Sequence, residues 1–326
     1  MRLFLNLRAP FGLILGMLFG GLTCGAELSL SALLRRFDAP PAPGERLRAA
    51  ESLAEYGATA IPALVERLRD GDDAVRSYAC LALVRMGPAA AEAVPQLVVL
   101  LDDPQEYVRA DALTALREIG PAAAPAVPVL AGILRSADRP LRLRALESLA
   151  AIRTPESCQA LTAALDVHDR DLQRSTLKAL QRLGPDAAAA LPKLLHFAVT
   201  AQEPSLADEA FLAAGALGDV AVPELVVLLE AELPATRRRS ALALSRAGAS
   251  GEAAVPALQR AVRDADAAVR FRAVRALGSL GKPAAATQAV LAQARHDADA
   301  DVRWAASQAL QRHGLEHTTV SAGTAP

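Results

Sequence analysis

Residues Gly87 to Gly120 read GPAAAEAVPQLVVLLDDPQEYVRADALTALREIG, and variants of this stretch recur along most of the chain. Proline suits the first turn of a helix, where no N–H is needed, and disfavours helix at the residue before it. Val94-Pro95 therefore predicts the start of a helix A. The same kind of pair recurs at Ile61-Pro62, Val127-Pro128, Leu191-Pro192, Val222-Pro223 and Val255-Pro256. A turn containing Asp103 follows. Beyond Arg109, the apolar residues Ala112, Leu113, Ala115, Leu116 and Ile119 fall on one broad helical face, which predicts a helix B. Gly120 is expected to close it in a left-handed cap.

The register holds at a distance. The closing positions are Gly57, Gly87, Gly120, Arg153, Gly184, Gly218, Gly248, Gly281 and Gly314, separated by 30, 33, 33, 31, 34, 30, 33 and 33 residues. Eleven residues before them stand Arg46, Arg76, Arg109, Arg142, Gln173, Ala207, Arg237, Arg270 and Arg303. Six residues before four of those arginines lies an aspartate: Asp70, Asp103, Asp264 and Asp297. Tandem self-similarity at this period predicts an all-α fold, a right-handed superhelical solenoid of about nine helix pairs. Composition agrees: 52% of residues are hydrophobic and only 3% aromatic, and alanine at the facing positions lets helices approach closely.

Residues 1–26 read as an export signal outside the array. Arg2 and Arg8 form a basic start, Phe11 to Leu22 an apolar run too short to span a bilayer, and Cys24-Gly25-Ala26 a small-residue cleavage site. Cleavage after Ala26 is the expectation, with a lipid anchor on Cys24 or an uncleaved anchor as the alternatives. An exported protein of the periplasm or cell envelope follows. Residues 27–57 read as a degenerate capping repeat, 58–314 as eight regular repeats, and 315–326 as a disordered tail. Loss of Arg2 and Arg8 turns a balance of 35 basic and 36 acidic residues into 33 and 36, which offers no global attraction for nucleic acid. Two repeats lie between those of Cys80 and Cys158, leaving them too far apart to pair, and Cys80 takes a core position.

The Asp-x5-Arg spacing, the Val-Arg pair and the Ala-Leu…Gly ending resemble HEAT repeats, of the short type first described in phycobilisome lyases. The likeness covers roughly residues 28–314. It implies that Asp70, Arg76, Asp103, Arg109, Asp264, Arg270, Asp297 and Arg303 form a structural ladder along the stack. It also opens enzyme readings, because this repeat serves chromophore lyases, a metal hydroxylase and DNA-repair glycosylases. The residues give these little support. None of His168, His196, His296, His313 and His317 precedes a glutamate, and no two within the array share a helix at ligand spacing. No phosphate loop, nucleophile elbow or Cys-x-x-Cys is present. No catalytic residue, cofactor or metal is expected.

Surface recognition remains. Helix B is expected to line the concave side of the superhelix, where protein partners dock. Arg48, Arg144, Arg239 and Arg272 lie two residues past the ladder position, Arg237-Arg238-Arg239 form a run, and Phe271 and Trp304 share one repeat position. Arg144, Arg237, Arg238, Arg239, Phe271, Arg272 and Trp304 are therefore the candidate partner-binding residues, suited to acidic groups through bidentate guanidinium contacts. The competing reading pairs these arginines with aspartates between repeats. The centre is irregular: Gln173 and Ala207 replace the ladder arginine, Arg153 replaces glycine, and Gly215 sits inside a helix. That marks either a binding or bending point, or drift in a redundant stack.

Overall fold

Each proline signal begins a short helix, and each arginine-bearing stretch forms a longer one. In the computed structural model, residues 29–315 are described, apart from 39–41, 43 and 282. The expected export signal and nearly all of the expected disordered tail lie outside them. Nine helix pairs follow one another among the described residues, with no strand. They are α1 (Leu30–Asp38) with α2 (Glu45–Glu55), α3 (Ile61–Arg67) with α4 (Asp73–Met86), α5 (Val94–Val99) with α6 (Glu106–Ile119), and α7 (Val127–Ile133) with α8 (Arg139–Ile152). Then come α9 (Pro155–Thr162) with α10 (Arg170–Leu183), and α11 (Leu191–Thr200) with α12 (Pro204–Ala216). The last three are α13 (Val222–Leu228) with α14 (Pro234–Leu244), α15 (Val255–Ala261) with α16 (Ala267–Leu277), and α17 (Ala285–Ala294) with α18 (Ala300–Arg312).

Local chemistry sets the boundaries. The side chains of Asp72, Asp138, Asp169, Asp266 and Asp299 accept backbone N–H bonds at the start of their B helices, a cap worth about 1 kcal/mol each. The closing glycine works differently from the expected left-handed cap. Gly87, Gly120 and Gly184 have positive φ but ψ of -131, -134 and -132°, a region that only glycine enters without strain. This turns the chain at once into the 3-10 stretch that carries Gly-Pro-Ala-Ala. Arg153, with φ 56° and ψ 24°, takes the left-handed helical conformation.

Every B helix packs on its own A helix and on the B helices before and after it, so one apolar core runs from Leu33 to Leu310. Cys80 and Cys158 are free and buried in it, as small hydrophobes. Gly215 has a packing reason: a Cβ there would overlap the backbone carbonyl of Ala243, so its absence lets α12 lie close against α14.

The arginine eleven residues before each closing position does two jobs. Its Nη1 donates to the two carbonyls of its own A–B turn: Arg76 to Asp70 and Gly71, Arg109 to Asp103 and Pro104, Arg237 to Ala231 and Glu232, Arg270 to Asp264 and Ala265. Its other nitrogens reach the next repeat. Arg76 grips Asp103 at 2.7 and 3.0 Å, Arg237 grips Asp264 at 2.7 and 2.8 Å, and Arg270 grips Asp297 at 2.9 and 2.8 Å. Each of these aspartates also accepts the backbone N–H two residues on, which fixes the turn it stands in. The Arg76–Asp103 pair is nearly enclosed, with side chains 11% and 4% exposed.

The ladder departs from the expected membership at its ends and centre. Among the described residues the Asp70 carboxylate receives no guanidinium: Arg46 reaches the capping residue Asp72 instead, across the shorter first step. Where the ladder aspartate is replaced by Ser136 or Val167, the capping residues Asp138 and Asp169 substitute, at 3.9 Å from Arg109 and 2.6 Å from Arg142. Arg303, in the last repeat, clamps only its own turn. At Gln173 the amide ends on the Leu165 carbonyl of its own repeat, and Ala207 carries no polar group.

These contacts set a pH dependence. Burial would raise the Asp103 and Asp264 carboxyls, but donation from Arg76 and Arg237 and from the turn amides carries both below the ordinary value. Asp297 is held low chiefly by Arg270, and Asp169 by the Leu172 amide and Arg142. A carboxyl whose folded pKa is depressed contributes stability above its unfolded pKa, about 3.9, and loses it as pH falls through the folded value. Asp103→Ala is expected to cost about 3 kcal/mol at neutral pH. Glu51→Ala, at the exposed Arg85 pair, should cost less than about 1 kcal/mol. As the pH falls from neutral to below the ordinary carboxylate value of about 3.9, toward protonation of the wild-type ladder, the Asp103→Ala deficit should shrink. Urea titrations of the three proteins at both pH values check this.

Candidate functional site: the outer surface of the B helices

Along most of the array the outward side chains of neighbouring B helices neutralise one another. Arg85 pairs with Glu51, Arg117 with Glu147, Arg139 with Asp171, and Arg174 with Glu209. Ser77 donates to Asp111 at 2.5 Å. Burial nevertheless raises the Asp111 carboxyl, with that hydroxyl and the charge of Arg144 opposing.

Arg48, Arg144, Lys178 and Arg182 stand outside this pairing among the described residues, and on the last three B helices such unpaired cations crowd together. Arg238 on α14, Arg246 just beyond it, and Arg272 and Arg275 on α16 have no carboxylate at ion-pair distance among the described residues. Arg246, Arg272 and Arg275 line a groove of about 330 Å³ between α14, α16 and α18, and a second of about 200 Å³, sharing Leu242 and Arg272 with it, is lined by Arg238, Phe271 and the Arg239–Asp208 pair. Leu242, Ala305 and Ala309 give the larger groove an apolar floor, and Trp304 and Gln308 stand on its far side. Gly278 makes this possible. A Cβ there would lie 2.5 Å from that of Ala309, so only glycine lets α16 and α18 approach so closely. Arg312, at the end of α18, donates to the Gly278 carbonyl at 3.0 Å and closes one end.

The guanidiniums crowd. Burial, then the charges of Arg275 and Arg238, lowers the pKa of Arg272, with Asp208 opposing. Arg272 and Arg275 lie 5.6 and 5.7 Å from the Phe271 ring centroid, which offsets part of that repulsion through the ring's negative face. Trp304 stays 57% exposed, a large apolar surface left in water.

The candidates from the sequence separate by what they touch. Arg237 is engaged by Asp264, and Arg239 by Asp208 at 2.5 Å and by the Pro204 carbonyl, so neither points free guanidinium at a partner. Arg144 is exposed on α8, away from the groove, beside Asp111. Arg238, Phe271, Arg272 and Trp304 come together. Arg246, Arg275 and Arg312 complete the rim and were not singled out by sequence. They sit at positions that in isolation read as ordinary solvated helix surface.

A second opening, of about 810 Å³, lies between the A–B turns of the fifth and sixth pairs, lined by His168, Gln173, Phe197 and Glu203 among others. It stands where the ladder arginine is missing. Among the described residues no group of three or more His, Cys, Asp or Glu side chains could hold a metal ion.

The family model described as HEAT repeats matches residues 29–117, 61–142, 94–181, 126–215 and 222–311. Among solved structures, the chain is similar to a mutant of Kap121p (TM-score 0.56, 16% identity, covering 90% of this chain and 38% of that one). It is also similar to Kap95p in a structure concerned with RanGDP binding (TM-score 0.51, 15% identity, covering 90% and 47%). The chain thus spans less than half the length of these two solenoids. A comparison with curated proteins gives no match.

Because Arg272 has no ion pair to lose among the described residues and two like charges to escape, against the weaker pull of Asp208, Arg272→Ala should leave unfolding unchanged or raise its free energy by up to about 0.5 kcal/mol. Arg239→Ala should lower it by up to about 1 kcal/mol. Thermal and urea unfolding of both variants distinguishes the free arginine from the engaged one.

Proposed function

The chain belongs to the HEAT-repeat family, and from that premise we propose that it is a non-catalytic scaffold of the cell envelope that docks protein partners on its B-helix surface. The observation that carries this reading is a cluster on that surface: Arg238, Arg246, Arg272 and Arg275, without ion-pair partners among the described residues, stand together beside an apolar floor and the exposed Trp304 in the last three pairs. Unpaired charge beside exposed aromatic surface costs stability and suits an interface, where tryptophan and arginine are the favoured anchors. Kap95p, a solenoid of similar shape, binds a protein, RanGDP. The envelope location rests on the basic start, apolar run and small-residue site of residues 1–26.

A photocrosslinking amino acid placed at Gln308 or Lys178, on exposed B-helix positions, should capture protein partners in the cells that make this chain. The same group at Val99 or Val227, exposed on A helices, should capture none. Adducts from the A positions alone would reverse the assignment of the docking face. The captured chain should begin at Glu27. An intact Met1 would remove the cleaved-signal part of the proposal.

A further inference from the structure

The groove between α14, α16 and α18 is the place where positive charge, apolar floor and exposed aromatic surface coincide. Adjacent packed helices lie about 8–10 Å apart, and an extended chain advances about 3.3 Å per residue, so three residues cross each helix. A segment of about eight residues spans all three B helices. Its side chains alternate, some facing the protein and some the solvent.

We propose that this groove binds an extended acidic peptide segment of a partner protein, with an apolar side chain seated against Trp304 and flanking carboxylates met by Arg238, Arg246, Arg272 and Arg275. The proposal rests on the scaffold reading and names the chemistry of what docks. Its physical basis is complementarity of two kinds. Four guanidiniums have no ion-pair partner among the described residues, and the nearby Asp208 is engaged by Arg239, so carboxylates that bridge them relieve the repulsion around Arg272 as well as forming charge-assisted hydrogen bonds. The floor of Leu242, Ala305 and Ala309 offers nothing to a charge and accepts a leucine or phenylalanine side chain. A segment that mixes acidic and apolar residues satisfies both. A uniformly anionic polymer, such as an acidic polysaccharide, satisfies only the rim.

Trp304 is the only tryptophan in the chain, so intrinsic emission reports on this groove alone. The full chain is titrated with the peptide acetyl-Asp-Glu-Leu-Asp-Phe-Glu-Asp-Glu-amide while Trp304 emission is followed. A saturable blue shift is expected, weakened roughly tenfold or more by R272A/R275A and by about 0.5 M salt. Arg117→Ala, in a distant paired position, should leave it unchanged. Circular dichroism confirms that the double variant is folded, and Arg275→Gln alone with the salt series serves if it is not. An unchanged emission overturns the proposal, as does equal binding of the peptide with glutamines in place of its acids. Tighter binding of polygalacturonate than of the peptide also overturns it. Crosslinks elsewhere on the B helices with a silent Trp304 would sink this site and leave the scaffold standing.

Discussion

A single guanidinium, held by two carbonyls of its own turn and by an aspartate of the next, is the contact on which the array depends. Apolar packing supplies most of the driving force for stacking helix pairs, but it is indifferent to small slides and rotations between them. The Arg76–Asp103, Arg237–Asp264 and Arg270–Asp297 forks are directional, nearly enclosed, and tied at both ends to backbone. They convert a pile of amphipathic hairpins into a solenoid with a fixed repeat-to-repeat geometry. A regular row of B helices, and any groove that spans several of them, follows from that regularity.

The departures are informative for the same reason. Where the ladder aspartate is absent, a helix-capping aspartate two residues along takes the guanidinium, so one carboxylate caps a helix and joins two repeats. Where the arginine itself is absent, at Gln173 and Ala207, no such substitution occurs among the described residues, and an opening of about 810 Å³ lies between the neighbouring turns. The central irregularity is thus a gap in the inter-repeat tie. Its consequence is mechanical: in place of a clamped fork, the neighbouring pairs are joined there by apolar contacts and by more exposed ion pairs, Arg170–Glu203 at 2.9 Å and Lys193–Asp166 at 2.7 Å.

Much of the fold was legible because it is periodic. Val-Pro pairs, the Leu113–Leu116–Ile119 face and the fixed arginine each encode local structure that repetition confirms. The direction of the ladder was harder to read. An arginine six residues from an aspartate in its own turn suggests a pairing within the repeat, whereas the carboxylate it grips lies 27 residues on. The glycine cap was mistaken in detail because sequence shows the need for positive φ but not the value of ψ. At the surface, Arg237-Arg238-Arg239 read as one feature, yet successive helical residues diverge by about 100°. They meet Asp264, open groove and Asp208 respectively. Arg246 and Arg275 escaped notice because a free charge is defined by what neighbouring helices fail to supply. That becomes visible only when three repeats are placed side by side.

Amide hydrogen exchange across the full chain tests the central claim most directly, because local opening reports how firmly each repeat is tied to the next. The account predicts slow exchange in the turns clamped by Arg76, Arg109, Arg237 and Arg270, and faster exchange in residues 200–204, where neither Gln173 of the preceding repeat nor Ala207 supplies a guanidinium. Replacing Arg76 by alanine should bring the turns around Asp70 and Asp103 to the central rate. Protection that is uniform along the array, or unaltered by that replacement, would contradict it and leave apolar packing as the sole source of order between repeats.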